Sequence, residues 1–179
     1  MAAGPIIAET ERLILRRYRE EDLYDLFEYL SDEKTVEFEP YKPLTLDEAR
    51  ESLQWRMGTE EMAAVQLKDT GKMIGNVYMG KREFDALELG YVFNRNYWGA
   101  GYAREGCGAL VRRAFSQGVH RIYAECDPAN ARSWKLLEAL GFRREAHFIQ
   151  NVFFWKDPAG RPVWKDTYVY AKLNADGKK

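Results

Sequence analysis

The chain has 179 residues, of which 46% are hydrophobic and 31% charged, and its formal net charge is −1. We expect one globular domain spanning residues 1–179, because this length can bury a single core and the composition is ordinary for a soluble protein. The near-neutral charge argues against nucleic acid or an anionic membrane as a general partner. With no signal-peptide pattern and no apolar run of about 18 residues, a cytoplasmic protein is predicted.

Hydrophobic periodicity divides the first half of the chain into helices and strands. Leu23, Leu26 and Leu30 recur at helical spacing, and Thr45 with Glu48 forms a capping box that starts a second helix. The predicted elements are a strand at 11–18, a helix at 20–30, a polar loop at 31–44, a helix from 45 to about 58, and strands at 63–68 and 73–79.

In the second half, Asn130 is expected to cap a helix that Gly141 ends. The predicted elements are strands at 87–93 and 119–126, a helix that the segment at 98–103 opens and that runs to about 116, a helix at 130–141, long strands at 144–155 and 163–173, and a frayed tail at 174–179. The whole chain is therefore predicted to be an α+β protein, with a mixed sheet and helices on both faces.

The junction between the strand at 87–93 and the following helix is the most informative segment. Its glycines allow backbone N–H groups to approach a ligand, and the free N–H groups of the helix's first turn favour an anion. We interpret the segment as a cradle for the pyrophosphate of a nucleotide-bearing cofactor. The cradle residues are Trp98, Gly99, Ala100, Gly101, Tyr102 and Ala103.

Two other families that bind phosphates at such a junction fit less well. A P-loop needs a lysine after its glycines, and none follows here. A dinucleotide fold needs Gly-x-Gly-x-x-Gly, but the glycine after Gly99 and Gly101 is Gly106, two positions late. Glu125 and Asp127 could bind a ribose, yet too little chain follows for further parallel strand–helix units.

The cradle sequence resembles the cofactor loop of the Gcn5-related N-acetyltransferases (GNAT), Gln/Arg-x-x-Gly-x-Gly/Ala. The segment from Asn130 to Phe142 is similar to the family's second signature, Asn-x-x-Ser…Glu-x-x-Gly-Phe. Residues 10–16, 31–33 and 164–170 also resemble the ribosomal-protein branch (RimJ/RimL type). The resemblance implies a mostly antiparallel sheet of about seven strands and acetyl-CoA as cosubstrate, with no metal.

The same resemblance implies roles for residues beside the cradle. The backbone of Val92 and Phe93 would pair with the pantetheine arm and supply an oxyanion donor, from a strand that splays away from its neighbour. Asn130 would lie near the cofactor arm and Ser133 near the sulfur, although both could simply cap a helix. Leu137 stands where many relatives have a tyrosine acid, so Ser133, water or no acid would protonate the thiolate.

The general base and the acceptor are less constrained. Glu88 is the first candidate for the base because it lies on the strand that enters the cradle; Glu83, Glu125 and the histidines are lower choices. By branch resemblance, the acceptor would be the α-amine of a protein N-terminus, and it would enter between the loop at 31–44 and the last two strands. A small-molecule amine, or an acyl-CoA-binding module without catalysis, remain alternatives, as do a monomer and a homodimer.

Overall fold

The structure, a computed structural model, describes residues 5–175. Within this range, eight strands form one sheet in the order β1-β2-β3-β4-β5-β6-β8-β7. The strands are β1 (Ile6–Glu9), β2 (Leu13–Arg16), β3 (Met62–Leu67), β4 (Met73–Arg82), β5 (Ala86–Phe93), β6 (Arg121–Cys126), β7 (Arg143–Val152) and β8 (Lys165–Leu173). The helices are α1 (Leu23–Leu30), α2 (Leu46–Met57), α3 (Tyr102–Ser116) and α4 (Ala131–Ala139).

The sheet separates two hydrophobic cores, as the alternation of side chains along a strand requires. In β3, Val65 and Leu67 belong to the core that α3 and α4 cover. Met62 and Ala64 face the other way and belong to the core that α1 and α2 cover. The predicted α+β architecture with helices on both faces is confirmed. Within residues 5–175, no helix is long and apolar enough to cross a membrane.

The expected sheet of about seven strands is confirmed, and within residues 5–175 it has eight strands, one more than the segments predicted as strands. The missed strand is β1, which pairs antiparallel with β2 through Ala8 and Leu15. It has only four residues and no clear alternation, so its own sequence carries little strand signal, and it is fixed by its neighbour.

The predicted helix at 20–30 divides into a 3-10 turn at Glu20–Asp22 and α1. Asp22 is buried and accepts two hydrogen bonds of 2.7 Å from the guanidinium of Arg16. The same carboxylate accepts from the backbone N–H of Arg19 at 3.0 Å, which fixes the tight turn. A buried ion pair between a strand and a turn therefore sets where the α-helix begins.

Helix ends predicted from caps agree with the structure. Thr45 and Glu48 form the capping box of α2. At the end of α4, the N–H of Phe142 donates to the carbonyl of Leu137 at 3.0 Å, and Gly141 takes a φ of 80°. The tail prediction is wrong at its first residue: Asn174 is buried, and its amide donates to the carbonyls of Phe115 and Val119. Residues 176–179 lie outside the described residues.

Strands β5 and β6 separate partway along their length, and this opening positions the site. They pair in parallel only from Ala86–Arg121 to Glu88–Tyr123. Beyond Glu88, β5 continues along β4 to Phe93, whereas β6 continues along β8 to Cys126. The resulting cleft lies between the end of β5 and the start of α4, and the splay implied by the family resemblance is confirmed.

Candidate active site

The glycine cradle forms the turn that leads into α3. Gly99 and Gly101 take φ angles of 78° and 83°, in the left-handed region that other residues adopt only with strain. A Cβ on Gly99 would meet nothing within 4 Å, so this glycine serves the backbone conformation rather than packing. Gly101 caps α3 without a side-chain hydrogen bond, so the N–H groups of the first turn are available to an anion.

A clamp from the N-terminal segment holds the cradle in place. The guanidinium of Arg12 donates to the carbonyl of Ala100 at 3.0 Å and to the carboxylate of Glu105 at 2.7 Å. The hydroxyl of Thr10 donates to the same carboxylate at 2.6 Å, and Arg12 stacks on the ring of Tyr102 at 4.3 Å. The segment that resembles the ribosomal-protein branch thus has a physical role, because it fixes the turn before α3.

A cavity of about 510 Å³ extends from the cradle into the cleft. Its charged lining is unbalanced, with four cationic side chains from Lys34, Arg104, Arg132 and Lys135. Among the described residues that line it, Glu39 is the one carboxylate. Such a lining suits a polyanionic ligand, because a cleft lined mainly by positive charges attracts negatively charged groups.

Most of the predicted site residues meet at this cavity. Those that line it are Val92, Phe93, Trp98, Gly99, Gly101, Tyr102, Ala103, Asn130 and Ser133. Ala100 contributes its carbonyl to the Arg12 clamp instead. Trp98 is fixed by its indole N–H, which donates to the carbonyl of Phe93 at 2.8 Å, and Arg132 stacks on its ring at 4.1 Å.

Ser133 and Tyr91 are hydrogen-bonded to each other across the cleft. The hydroxyl of Tyr91 lies 2.9 Å from Ser133 Oγ and 3.1 Å from the carbonyl of Ser133. Burial raises the pKa of Tyr91 well above its usual value, so it is a neutral hydroxyl at physiological pH. Asn130 acts as the helix cap, because its Oδ1 accepts from the N–H of Ser133 at 3.2 Å. Leu137 is fully buried in the core.

Glu88 is not brought to the cavity. It lies at the last paired position of β5 and β6, on the closed side of the cleft, and its carboxylate is ion-paired with Arg82. The lower-ranked acids Glu83 and Glu125 are exposed and do not line the cavity either. Neither does His147, which contacts Asp166 at 2.8 Å between β7 and β8, or His120 at the start of β6.

Glu39 is the acid that sequence reasoning did not single out as a base. It lies in the loop at 31–44 and is partly buried against the cavity. Burial raises its pKa to about 7, and a hydrogen bond with Tyr41 and the charge of Arg56 oppose the rise. No short motif marks this position, since the groups that shift its pKa come from the folded cavity and from α2 as well as from its own loop.

The two cysteines show no sign of activation. Cys107 is fully buried in α3, and burial raises the pKa of its thiol. Cys126 is half-buried at the end of β6, where burial raises its pKa to about 11. Thiols this far from ionisation do not serve as nucleophiles at neutral pH.

The splayed strands and the glycine cradle have the geometry that the family resemblance predicts, and the comparisons agree with the family. A family model described as an acetyltransferase (GNAT) domain matches residues 12–143. The chain therefore belongs to the Gcn5-related N-acetyltransferases, and it is an N-acetyltransferase.

Similar proteins cover nearly the whole chain. The N-acetyltransferase YnaD of Bacillus subtilis is 32% identical over 93% of this chain and 96% of its own. A crystal structure of a GNAT-family acetyltransferase from Bacillus anthracis is 31% identical, with a TM-score of 0.85 over 93% of this chain and 97% of that one. The [ribosomal protein uS5]-alanine N-acetyltransferase of Escherichia coli is 27% identical over 83% of this chain and 85% of its own.

Proposed function

We propose that this protein transfers the acetyl group of acetyl-CoA to a primary amine by direct attack. The observation that carries the proposal is the open N-terminus of α3 behind two left-handed glycines, facing a cavity lined by four cations. A pyrophosphate bound there would accept hydrogen bonds from backbone N–H groups and meet the positive end of the helix dipole. Arg104 and Arg132 line the same cavity and would contact the remaining phosphate charge.

The free edge of β5 supports a role for its backbone in catalysis. The N–H of Asn94 points toward β4 and donates to the carbonyl of Ile74 on that strand. The carbonyl of Phe93 points the other way and accepts from the indole N–H of Trp98. Because N–H groups alternate sides along a strand, the N–H of Phe93 points away from β4 and toward the cleft. It is the donor we assign to the oxygen of the thioester as that oxygen gains negative charge.

The hydroxyl pair of Ser133 and Tyr91 lies at the same cleft and would serve the leaving group. Ser133 Oγ can donate to the thiolate while it accepts from the hydroxyl of Tyr91, or the proton can pass along the pair. This arrangement replaces the tyrosine that many relatives have at the position of Leu137.

For the acceptor, we favour the α-amine of a protein N-terminus. The loop at 31–44 packs against the segment that joins β7 and β8 and against the start of β8. Lys42 lies 5.7 Å from the ring of Trp155, and Lys165, the first residue of β8, lies 5.7 Å from the ring of Phe38. Exposed aromatic side chains, Phe153 and Trp164, stand on that segment and could contact a peptide. The ribosomal-protein relative supports the same choice, and a small-molecule amine is the alternative.

The test is release of free thiol from acetyl-CoA in the presence of N-terminal peptides or small amines. Gly101→Glu places a carboxylate in the cradle and should abolish binding of acetyl-CoA as well as turnover. Gly118→Glu is the matched control, because Gly118 also has a positive φ of 92° and open space but lies beyond the other end of α3. Binding of acetyl-CoA without turnover on any amine would favour the binding module.

A further inference from the structure

We propose that Glu39 is the general base that removes the proton from the acceptor ammonium group. The inference rests on the proposed function and adds a catalytic residue to it. Glu39 belongs to the loop between α1 and α2, where the acceptor is expected to enter, and it lines the cavity. It is the one carboxylate among the described residues lining the cavity that also contains Ser133 and the end of β5.

The surroundings of Glu39 suit a base rather than a structural anion. Two other acids of this loop are paired, Glu37 with Lys34 at 3.4 Å and Asp32 with Arg95 at 3.2 Å, and the third, Glu33, is exposed and does not line the cavity. Glu39 has no ion pair among the described residues. The groups that act on it are the hydroxyl of Tyr41 in its own loop and the guanidinium of Arg56 on α2.

Glu39 and Tyr91 of β5 line the same cavity, and the hydroxyl of Tyr91 contacts Ser133 Oγ. An amine placed between Glu39 and the free edge of β5 would therefore have the base on one side and the hydroxyl pair on the other. Burial tunes the pKa of Glu39 to about 7, near the value at which a base works best at neutral pH.

The proton balance is simple. Glu39 takes one proton from the ammonium group, and the neutral amine attacks the thioester carbon. The C–N bond forms and the C–S bond breaks, with the electron pair leaving on sulfur. The second proton of the nitrogen ends on the thiol through Ser133, and Glu39 returns its proton to water, so one proton is released per turnover.

The experiment compares wild type, Glu39→Gln, Glu39→Asp and Glu37→Gln at saturating acetyl-CoA and amine. Glu39→Gln should lower kcat by roughly 10²–10³-fold and leave the Kd for acetyl-CoA unchanged. Glu39→Asp should recover part of the rate, and Glu37→Gln, an exposed acid of the same loop, should stay within about twofold of wild type.

The pH profile separates a base from a structural residue. In wild type, kcat should rise with pH around pH 7, and the midpoint of this rise should be the same for an α-amine and for a more basic alkylamine. Glu39→Gln should lose this rise. If Glu39→Gln keeps both the wild-type kcat and its rise around pH 7, the inference is overturned while the proposed function stands. The same holds if Glu88→Gln, rather than Glu39→Gln, loses the rate and the rise. A wild type that binds acetyl-CoA and acetylates no amine would overturn both.

Discussion

At the scale of single residues, the site contains a few side chains whose burial raises their pKa above the ordinary value. Glu39 is an acid held in a setting that penalises its charge, and burial of Tyr91 raises the pKa of its phenol further above neutrality. A charged group that is buried without a full partner costs folding free energy, and such costs concentrate at functional sites. Removing the charge should therefore harm activity and help stability.

Glu39→Gln should be more stable than wild type at pH 8. The native pKa of about 7 lies above the value near 4.3 in an unfolded chain, so the native state binds more protons between these values. Wild-type stability consequently falls as pH rises from about 4 to 7, and the glutamine variant should escape a loss of about 1–3 kcal/mol. Thermal melts at pH 4 and pH 8 measure this difference, which should vanish at pH 4 and be absent in Glu37→Gln. A Glu39→Gln protein that melts below wild type at pH 8 would contradict it.

At the scale of secondary-structure elements, the cleft depends on how β4 holds the end of β5. Gly75 on β4 stands opposite Phe93, and a Cβ there would lie 2.5 Å from the carbonyl oxygen of Val92 and 2.9 Å from the Cα of Phe93. This is too close for any side chain, so the glycine permits the strand path that carries the oxyanion donor.

Gly75→Ala should displace the end of β5 and weaken acetyl-CoA binding about tenfold or more, at a cost of roughly 1–3 kcal/mol in stability. Gly106→Ala is the matched control in α3. A Cβ there meets Leu13, Phe93 and Val65 only at 3.5–3.8 Å, so alanine should stabilise the helix by about 0.5–1 kcal/mol and preserve binding. Calorimetric titration and thermal melts check both variants, and equal effects of the two would refute the role of Gly75.

At the scale of the whole molecule, the sequence predicted what short segments determine. The capping box at Thr45, the stop at Gly141 and the glycine turn of the cradle each follow from a few adjacent residues. The strand β1 and the start of α1 could not be predicted from adjacent residues. The strand β1 is fixed by pairing with β2, and the turn before α1 is fixed by the ion pair of Asp22 with Arg16. Glu39 was missed as a base for the same reason, since its pKa is raised mainly by burial against the cavity, which the neighbouring residues in the chain do not reveal.

The cleft joins elements from both cores of the molecule, so ligand binding should stabilise the fold as a whole. A ligand that binds only the native state raises the free energy of unfolding by mass action, by about 2.7 kcal/mol at a concentration 100 times the Kd. The melting temperature rises as a consequence. Because the lining carries four cations and one acid, the stabilisation by acetyl-CoA should shrink as salt rises from low to about 0.5 M. Thermal melts with acetyl-CoA at several salt concentrations measure this, with Gly101→Glu as the variant that shows no shift. A salt-independent shift would mean that apolar contacts, rather than the cradle and its cations, hold the ligand.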